Sequence, residues 1–292
     1  MKKILLLNLF IFALLSFQNP CYAIKIGLKT GAQSLVTGTS VKSSIIDANT
    51  NHKICDIDKM TAYELRPYHS IMAIKIKGNY YKINSDNIAI RFFNGATGYT
   101  SIKNKWYRGV IKVQNKGGSL TAINDIPLED YIKGVVPSEM PSSWNSEALK
   151  AQAIAARSYA MANLGKHGSQ GFDLVDTPAD QAYGGASAER YSSNQAVNDT
   201  KGIVITYGMK IICAYYSASA GGQSVSAADA WGSNLPYIRS VPSYDGEFKK
   251  NGHGVGMSQH GANNLANQGY NAFQILQYFY KDVQFARLKD YV

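Results

Sequence analysis

Seven alanines fall between Ser146 and Leu164, at positions 148, 151, 153, 155, 156, 160 and 162. Alanine has the highest helix propensity, so the spacing predicts a helix over this stretch. A helix with so few large side chains buries little apolar area of its own. It is stable only where other backbone approaches closely, which predicts a central, buried helix. Asn145 or Ser146 can cap its start, Glu147 favours its positive end, and Gly165 can close it. Just ahead lies Val135-Val136-Pro137-Ser138-Glu139-Met140-Pro141. Two prolines bracket Glu139, so this stretch reads as a rigid turn presenting one carboxyl before the helix, in the manner of a general acid. The plainer alternative is that Glu139 caps that helix.

The rest of the chain is expected to be β-rich first and mixed later, an α+β fold. From Ile24 to about Asn124 short apolar runs alternate with turn chemistry. Examples are Ile24 to Leu28, Ile71 to Ile76 and Tyr107 to Val113, with Gly78-Asn79, Asn94-Gly95 and Gly117-Gly118 between runs. Near Ile126 the character changes. Pro127 opens a short helix with acids in its first turn. Gly202 to Tyr207 and Lys210 to Tyr216 read as a hairpin turning at Gly208, and a last helix covers Asn271 to Tyr280. No 20- to 50-residue period repeats, which disfavours a solenoid or propeller.

The amino terminus reads as a secretory leader over 1–23: Lys2 and Lys3, an apolar run from Ile4 to Phe17, then Cys21-Tyr22-Ala23 as the cleavage site. An uncleaved membrane anchor is the alternative. Removing 23 residues leaves 269 and lowers the formal net charge from +10 to +8. Export to the periplasm, cell envelope or exterior follows, with membrane contact only through a retained leader. The cations are scattered, with no aromatic-interleaved basic run, so a nucleic-acid partner is not expected. Cys55 and Cys213 can pair after export or remain as two small apolar residues.

Three Gly-rich polar segments mark candidate binding loops: Asp173 to Gly185, Tyr215 to Gln223 and Gly252 to Ala262. His253 and His260 do not form a zinc set, so neither a metal nor another cofactor is expected. A Ser-His-Asp hydrolase is disfavoured because no Gly-x-Ser-x-Gly elbow precedes a helix.

Four ordered segments, Tyr131 to Pro141, Glu147 to Ala160, Tyr216 to Gly222 and Gly252 to Gln259, together resemble the SpoIID/LytB family of sporulation stage II protein D and amidase-enhancer proteins. The resemblance covers roughly Tyr107 to Phe285. With the leader 1–23 and the β-rich region 24–105 read above, it implies a SpoIID-like catalytic domain over 106–292. It also implies a lytic transglycosylase acting on peptidoglycan glycan strands, preferentially strands stripped of stem peptides, with Glu139 as the catalytic acid. A non-catalytic wall-binding enhancer of a cell-wall amidase is the alternative role in the family.

A lytic transglycosylase can manage with one carboxyl, whereas ordinary glycoside hydrolysis needs two. Asp173, Asp176 and Asp180 are the candidates for a second one, with turn-structuring as the plainer reading. Lys150 and Arg157 are seven residues apart and share a helix face, placed either for substrate positioning or for pairing with acids. Gln181, Tyr183, Tyr216, Ser217, Ser219, His253 and Gln259 complete the set of expected substrate contacts.

Overall fold

The computed structural model describes residues 22–291. The leader expected over 1–23 therefore lies outside the described residues, except for Tyr22 and Ala23. Both are woven into the fold. Ala23 begins the strand Ala23–Ala32 opposite Pro127, Tyr22 O accepts the Leu128 N–H at 2.7 Å, and Tyr22 Oη donates to Leu288 O at 2.9 Å. A chain beginning at Ile24 is expected to be about 1–2 kcal/mol less stable than one beginning at Tyr22, the worth of one or two hydrogen bonds. Urea unfolding of the two chains checks this, and equal midpoints would refute it.

The fold is α+β, with strands in the first half and helices in the second. A seven-stranded sheet runs in the order Leu174–Val175, Ala23–Ala32, Ser119–Pro127, Val110–Lys116, Asn87–Phe92, Ser43–Asp47, Lys53–Ile57. A six-stranded sheet is built from Lys105–Tyr107, Thr100–Ile102, Leu35–Thr39, Tyr63–Tyr68, Ile71–Ile76 and Asn79–Ile83. The division expected between 105 and 106 thus falls inside shared sheets. The strands at 110–116 and 119–127 complete the sheet begun by Ala23–Ala32, and one contiguous apolar core includes Ile24, Leu65, Ile111, Val135 and Ile154.

The turns follow from their glycines. Gly117 and Gly118 have φ of 59° and 78°, and Gly208 and Met209 have φ of 53° and 62°, the left-handed pairs that tight hairpins require. Lys210–Ile211 does close that second hairpin. The strand expected on to Tyr216 breaks, however, and Tyr216–Ser217 pairs in parallel with Met257–Ser258 in a separate small sheet.

Six helices pack on these sheets: α1 Leu128–Glu139, α2 Ser146–Ala162, α3 Tyr191–Asp199, α4 Ala227–Trp231, α5 Gln259–Asn267 and α6 Ala272–Phe279. The alanine-rich α2 is central as expected, touching α1, α3, α5, α6 and the strand Ile203–Tyr207. Its alanines from 148 to 160 are fully buried. Asn145 caps it by accepting the Glu147 N–H at 3.0 Å. The helix α5 lies in a segment read from sequence as loop. Ser258 caps it, and Gly261 is required there because a Cβ would meet Ser243 O at 1.8 Å. Cys55 and Cys213 are both free thiols.

Candidate active site

Glu139 is the last residue of α1, not part of a turn between helices. Pro137 is tolerated inside the helix, close to its end. Pro141 then disfavours helical backbone at the residue before it, and Met140 is extended at φ −132°, ψ 139°. The helix stops there, and the chain leaves Glu139 at a helix carboxyl end.

Three elements converge on this carboxyl. Oε1 accepts the Ala182 N–H at 2.6 Å, and the Gln259 amide at the start of α5 approaches Oε2 at a long 3.4 Å. Tyr216 supplies the third. Its hydroxyl accepts from Gln181 Nε2 at 2.8 Å, which leaves its own proton to donate toward Glu139. Gln181 is held in turn by Tyr131 Oη at 3.2 Å and by Ala156 O at 3.2 Å. Burial raises the Glu139 pKa above the usual carboxylate range, and the donors Ala182, Gln259 and Tyr216 only partly offset it. The negative end of α1 pulls in the same direction as burial.

The loop carrying Ala182 is bolted at both ends. At one end the fully buried Asp180 carboxylate accepts the Val175 N–H at 2.8 Å, and it binds Lys166 Nζ at 2.5 Å and His167 Nε2 at 2.9 Å. At the other end Gly184 N–H donates to Gly134 O at 3.2 Å. The absent side chain of Gly134 makes room for the Tyr183 ring, because a Cβ there would lie 2.5 Å from Tyr183 Cε2.

The three candidate aspartates are each engaged in holding loops, the plainer of their two readings. Asp173 accepts the Lys25 and Gly165 N–H groups, Asp176 pairs with Lys103 at 3.0 Å, and Asp180 is occupied as above.

Of the expected substrate contacts, Tyr216 and Gln259 meet Glu139, and Gln181 supports them from behind without being exposed. The structure gives the others partners of their own. Arg157 is fully buried and forms a bidentate pair with Glu129, at 2.9 Å and 2.8 Å, while also donating to Ile203 O at 3.0 Å. Lys150 pairs with Glu147 at 2.9 Å and Asp199 at 3.5 Å. Tyr183 is a core residue, donating to Asn124 Oδ1 at 2.8 Å and packing on Tyr131. Ser217 Oγ accepts the Gly254 N–H, and Ser219 donates to Asp245.

His253 Nδ1 accepts the Val255 N–H at 2.9 Å and the ring packs edge-on to Trp231. Burial pushes its pKa down and Lys250 adds to this, so it stays neutral and structural.

Two residues escaped the sequence reading. Gln152 is fully buried on α2, and its Oε1 lies 3.5 Å from Gln259 Nε2. Its signal was an amide set among buried alanines. Asp245 is a buried hub. Its carboxylate accepts from Ser219, Ala220 N, Gly222 N, Ser243 and Ser258, tying the strand that bears Tyr216 to the cap of α5. Burial alone would raise its pKa, but these donors outweigh it and hold it below the usual range. No local pattern separates Asp245 from an ordinary turn aspartate.

Fold and site together define an α+β protein organised around one guarded carboxyl at the end of a helix. Residues 116–207, which carry Glu139 and the loop of Ala182, match the family model described as SpoIID, Stage II sporulation protein. The chain is 44% identical over 107 residues to the amidase enhancer of Bacillus subtilis, covering 37% of this chain and 14% of that protein. It is 27% identical over 266 residues to stage II sporulation protein D of Bacillus amyloliquefaciens, covering 59% and 77%. It is also 38% identical over 136 residues to an uncharacterised protein of Brachyspira hyodysenteriae, covering 46% and 37%. Through this segment the chain is similar to the SpoIID/LytB family. It spans well under half the length of the Brachyspira protein and of the amidase enhancer. Tyr216 and Gln259 lie beyond the family match.

Proposed function

We propose that this protein is exported and cleaves peptidoglycan glycan strands as a lytic transglycosylase, with Glu139 as acid and then base. The observation that carries this reading is the asymmetric setting of the Glu139 carboxyl. Oε1 is tied up by a short bond from the Ala182 N–H, whereas Oε2 has the long contact to Gln259; the Tyr216 hydroxyl also donates to the carboxyl. Burial raises the pKa and so favours the protonated carboxyl, and Oε2, the more weakly held oxygen, is the one from which a proton can be given.

The proton passes from Oε2 to the glycosidic oxygen as the bond from that oxygen to the muramyl anomeric carbon breaks. The leaving sugar departs with a new hydroxyl. The muramyl C6 hydroxyl then bonds to the anomeric carbon and returns its proton to the Glu139 carboxylate, giving a 1,6-anhydro end. Donors from Ala182, Gln259 and Tyr216 stabilise the carboxylate between the two transfers. No second carboxylate and no water nucleophile enters, in keeping with the occupied states of Asp173, Asp176 and Asp180.

The name of the Bacillus subtilis relative supports a second reading, a wall-binding partner that enhances an amidase without cutting glycan itself. Incubation with peptide-free glycan strands, read by mass spectrometry, separates the readings. Anhydromuramyl ends are expected from the wild type. Binding without products would favour the enhancer, and reducing ends would indicate water as the nucleophile.

A further inference from the structure

At the opposite end of α1 from Glu139 lies a cavity of about 500 Å³, walled by Tyr22, Leu128 and Leu288 on its apolar side and by Lys201, Arg287 and Lys289 at its rim. Its volume lies within the roughly 300–1,000 Å³ typical of small-molecule sites. Glu139 is eleven residues along the helix, about 16 Å away at 1.5 Å per residue, so the two sites do not overlap.

The charge balance of the wall is one-sided. Glu129 is neutralised by the bidentate pair with Arg157, and Asp130 is taken by Lys133 at 3.0 Å. Among the described residues, Lys201, Arg287 and Lys289 form no ion pair with any carboxylate, and all three are exposed. Three uncompensated cations around an apolar floor suit an anionic head attached to an apolar body. An arginine fork and two lysines favour phosphate in particular.

The position of the cavity selects among phosphates. Tyr22 forms part of the wall, and only five positions earlier the sequence ends its apolar run at Phe17. Five residues span at most about 17 Å, so where the leader is retained as an anchor rather than cleaved after Ala23, the cavity mouth lies within reach of the headgroup layer. We propose that this cavity binds the phosphodiester headgroup of an anionic phospholipid, seating the protein on the membrane face from which it is exported. This assignment does not depend on the chemistry at Glu139.

The test uses the full chain in neutral detergent, titrated with dihexanoyl-phosphatidylglycerol while the thermal unfolding midpoint is followed. A saturable rise is expected, with none from dihexanoyl-phosphatidylcholine. The triple variant K201A/R287A/K289A is expected to bind about a hundredfold more weakly, each surface cation contributing roughly fivefold. Its unliganded midpoint should be unchanged, because all three side chains are exposed. The charge-matched variant K29A/K59A/K249A and the single variant Glu139→Gln should bind like the wild type. Equal shifts from both lipids, or equal weakening in the two triple variants, would overturn the proposal. So would the absence of any shift. Inorganic phosphate giving the same shift at the same concentration would reassign the cavity to free phosphate. Tighter binding of carboxylate-bearing glycan fragments would reassign it to a wall polymer.

Discussion

Replacing Glu139 by glutamine is expected to lower glycan cleavage by about 10²–10⁴-fold, the usual worth of a positioned general acid, while making the protein more stable at neutral pH. Both effects come from one environment. Glutamine keeps the shape and the acceptor for the Ala182 N–H but has no proton to give at Oε2. Burial raises the folded-state pKa of Glu139 above its unfolded value, so folding favours the protonated carboxyl. Its contribution to stability is therefore present below the unfolded pKa and is lost as pH rises through the raised value. Towards neutral pH, burying a side chain that would ionise in the unfolded chain costs stability, and glutamine removes that cost, roughly 1 kcal/mol on the scale of relieved functional sites. This corresponds to about 2–4 °C in the unfolding midpoint. The gap between variant and wild type should widen from acid to neutral pH, as measured by thermal scans over that range. A variant less stable than the wild type at neutral pH would refute this account of the site. Product yield equal to that of the wild type would remove Glu139 as the acid.

The second large effect is expected at Arg157→Met, about 3–5 kcal/mol of lost stability, the typical result of removing one partner from a buried ion pair. Arg157 is inaccessible to solvent, and its guanidinium joins Glu129 on α1 to the carbonyls of Ile203 and Val197. Methionine fills much of the volume but leaves Glu129 without its countercharge and the carbonyls without a donor. Restoring neutrality with Glu129→Gln in the same chain should recover part of the loss, which a double-mutant cycle in urea would measure. KM for glycan should change little at temperatures where the variant is folded. A large rise in KM without a loss of stability would instead favour the substrate role expected from the sequence.

That difference shows what the sequence made legible and what it did not. The spacing of Lys150 and Arg157 correctly implies one helix face, because seven residues are nearly two turns. It does not say what that face meets. Arg157 turns out to be sealed under α3 and the strand Ile203–Tyr207, and Lys150 lies beside Asp199. Tyr183 misled for a similar reason. An aromatic beside two glycines suits a sugar site, yet here the glycines serve close packing, and Gly134 forms the hollow for the ring. The hairpins at Gly117-Gly118 and Gly208 were readable because positive φ is a local demand that names its residue. Glu139 was readable because prolines restrict their neighbours, although the local rule placed it on a turn and the helix extended to include it. Asp245 and Gln152 depend on partners distant in sequence, and no local signal carries such information.

The strand Ala23–Ala32 lies between Ser119–Pro127 and Leu174–Val175 in the large sheet. A chain that emerges amino end first therefore presents one of its interior strands long before either neighbour has emerged. The first strand out must wait, unpaired, until Ser119–Pro127 has followed, and its other edge until Leu174–Val175 has. Such distant pairings slow folding and prolong exposure of unpaired backbone. Under the proposed export, the same arrangement would keep the protein threadable, because the sheet cannot close while its later strands are still inside.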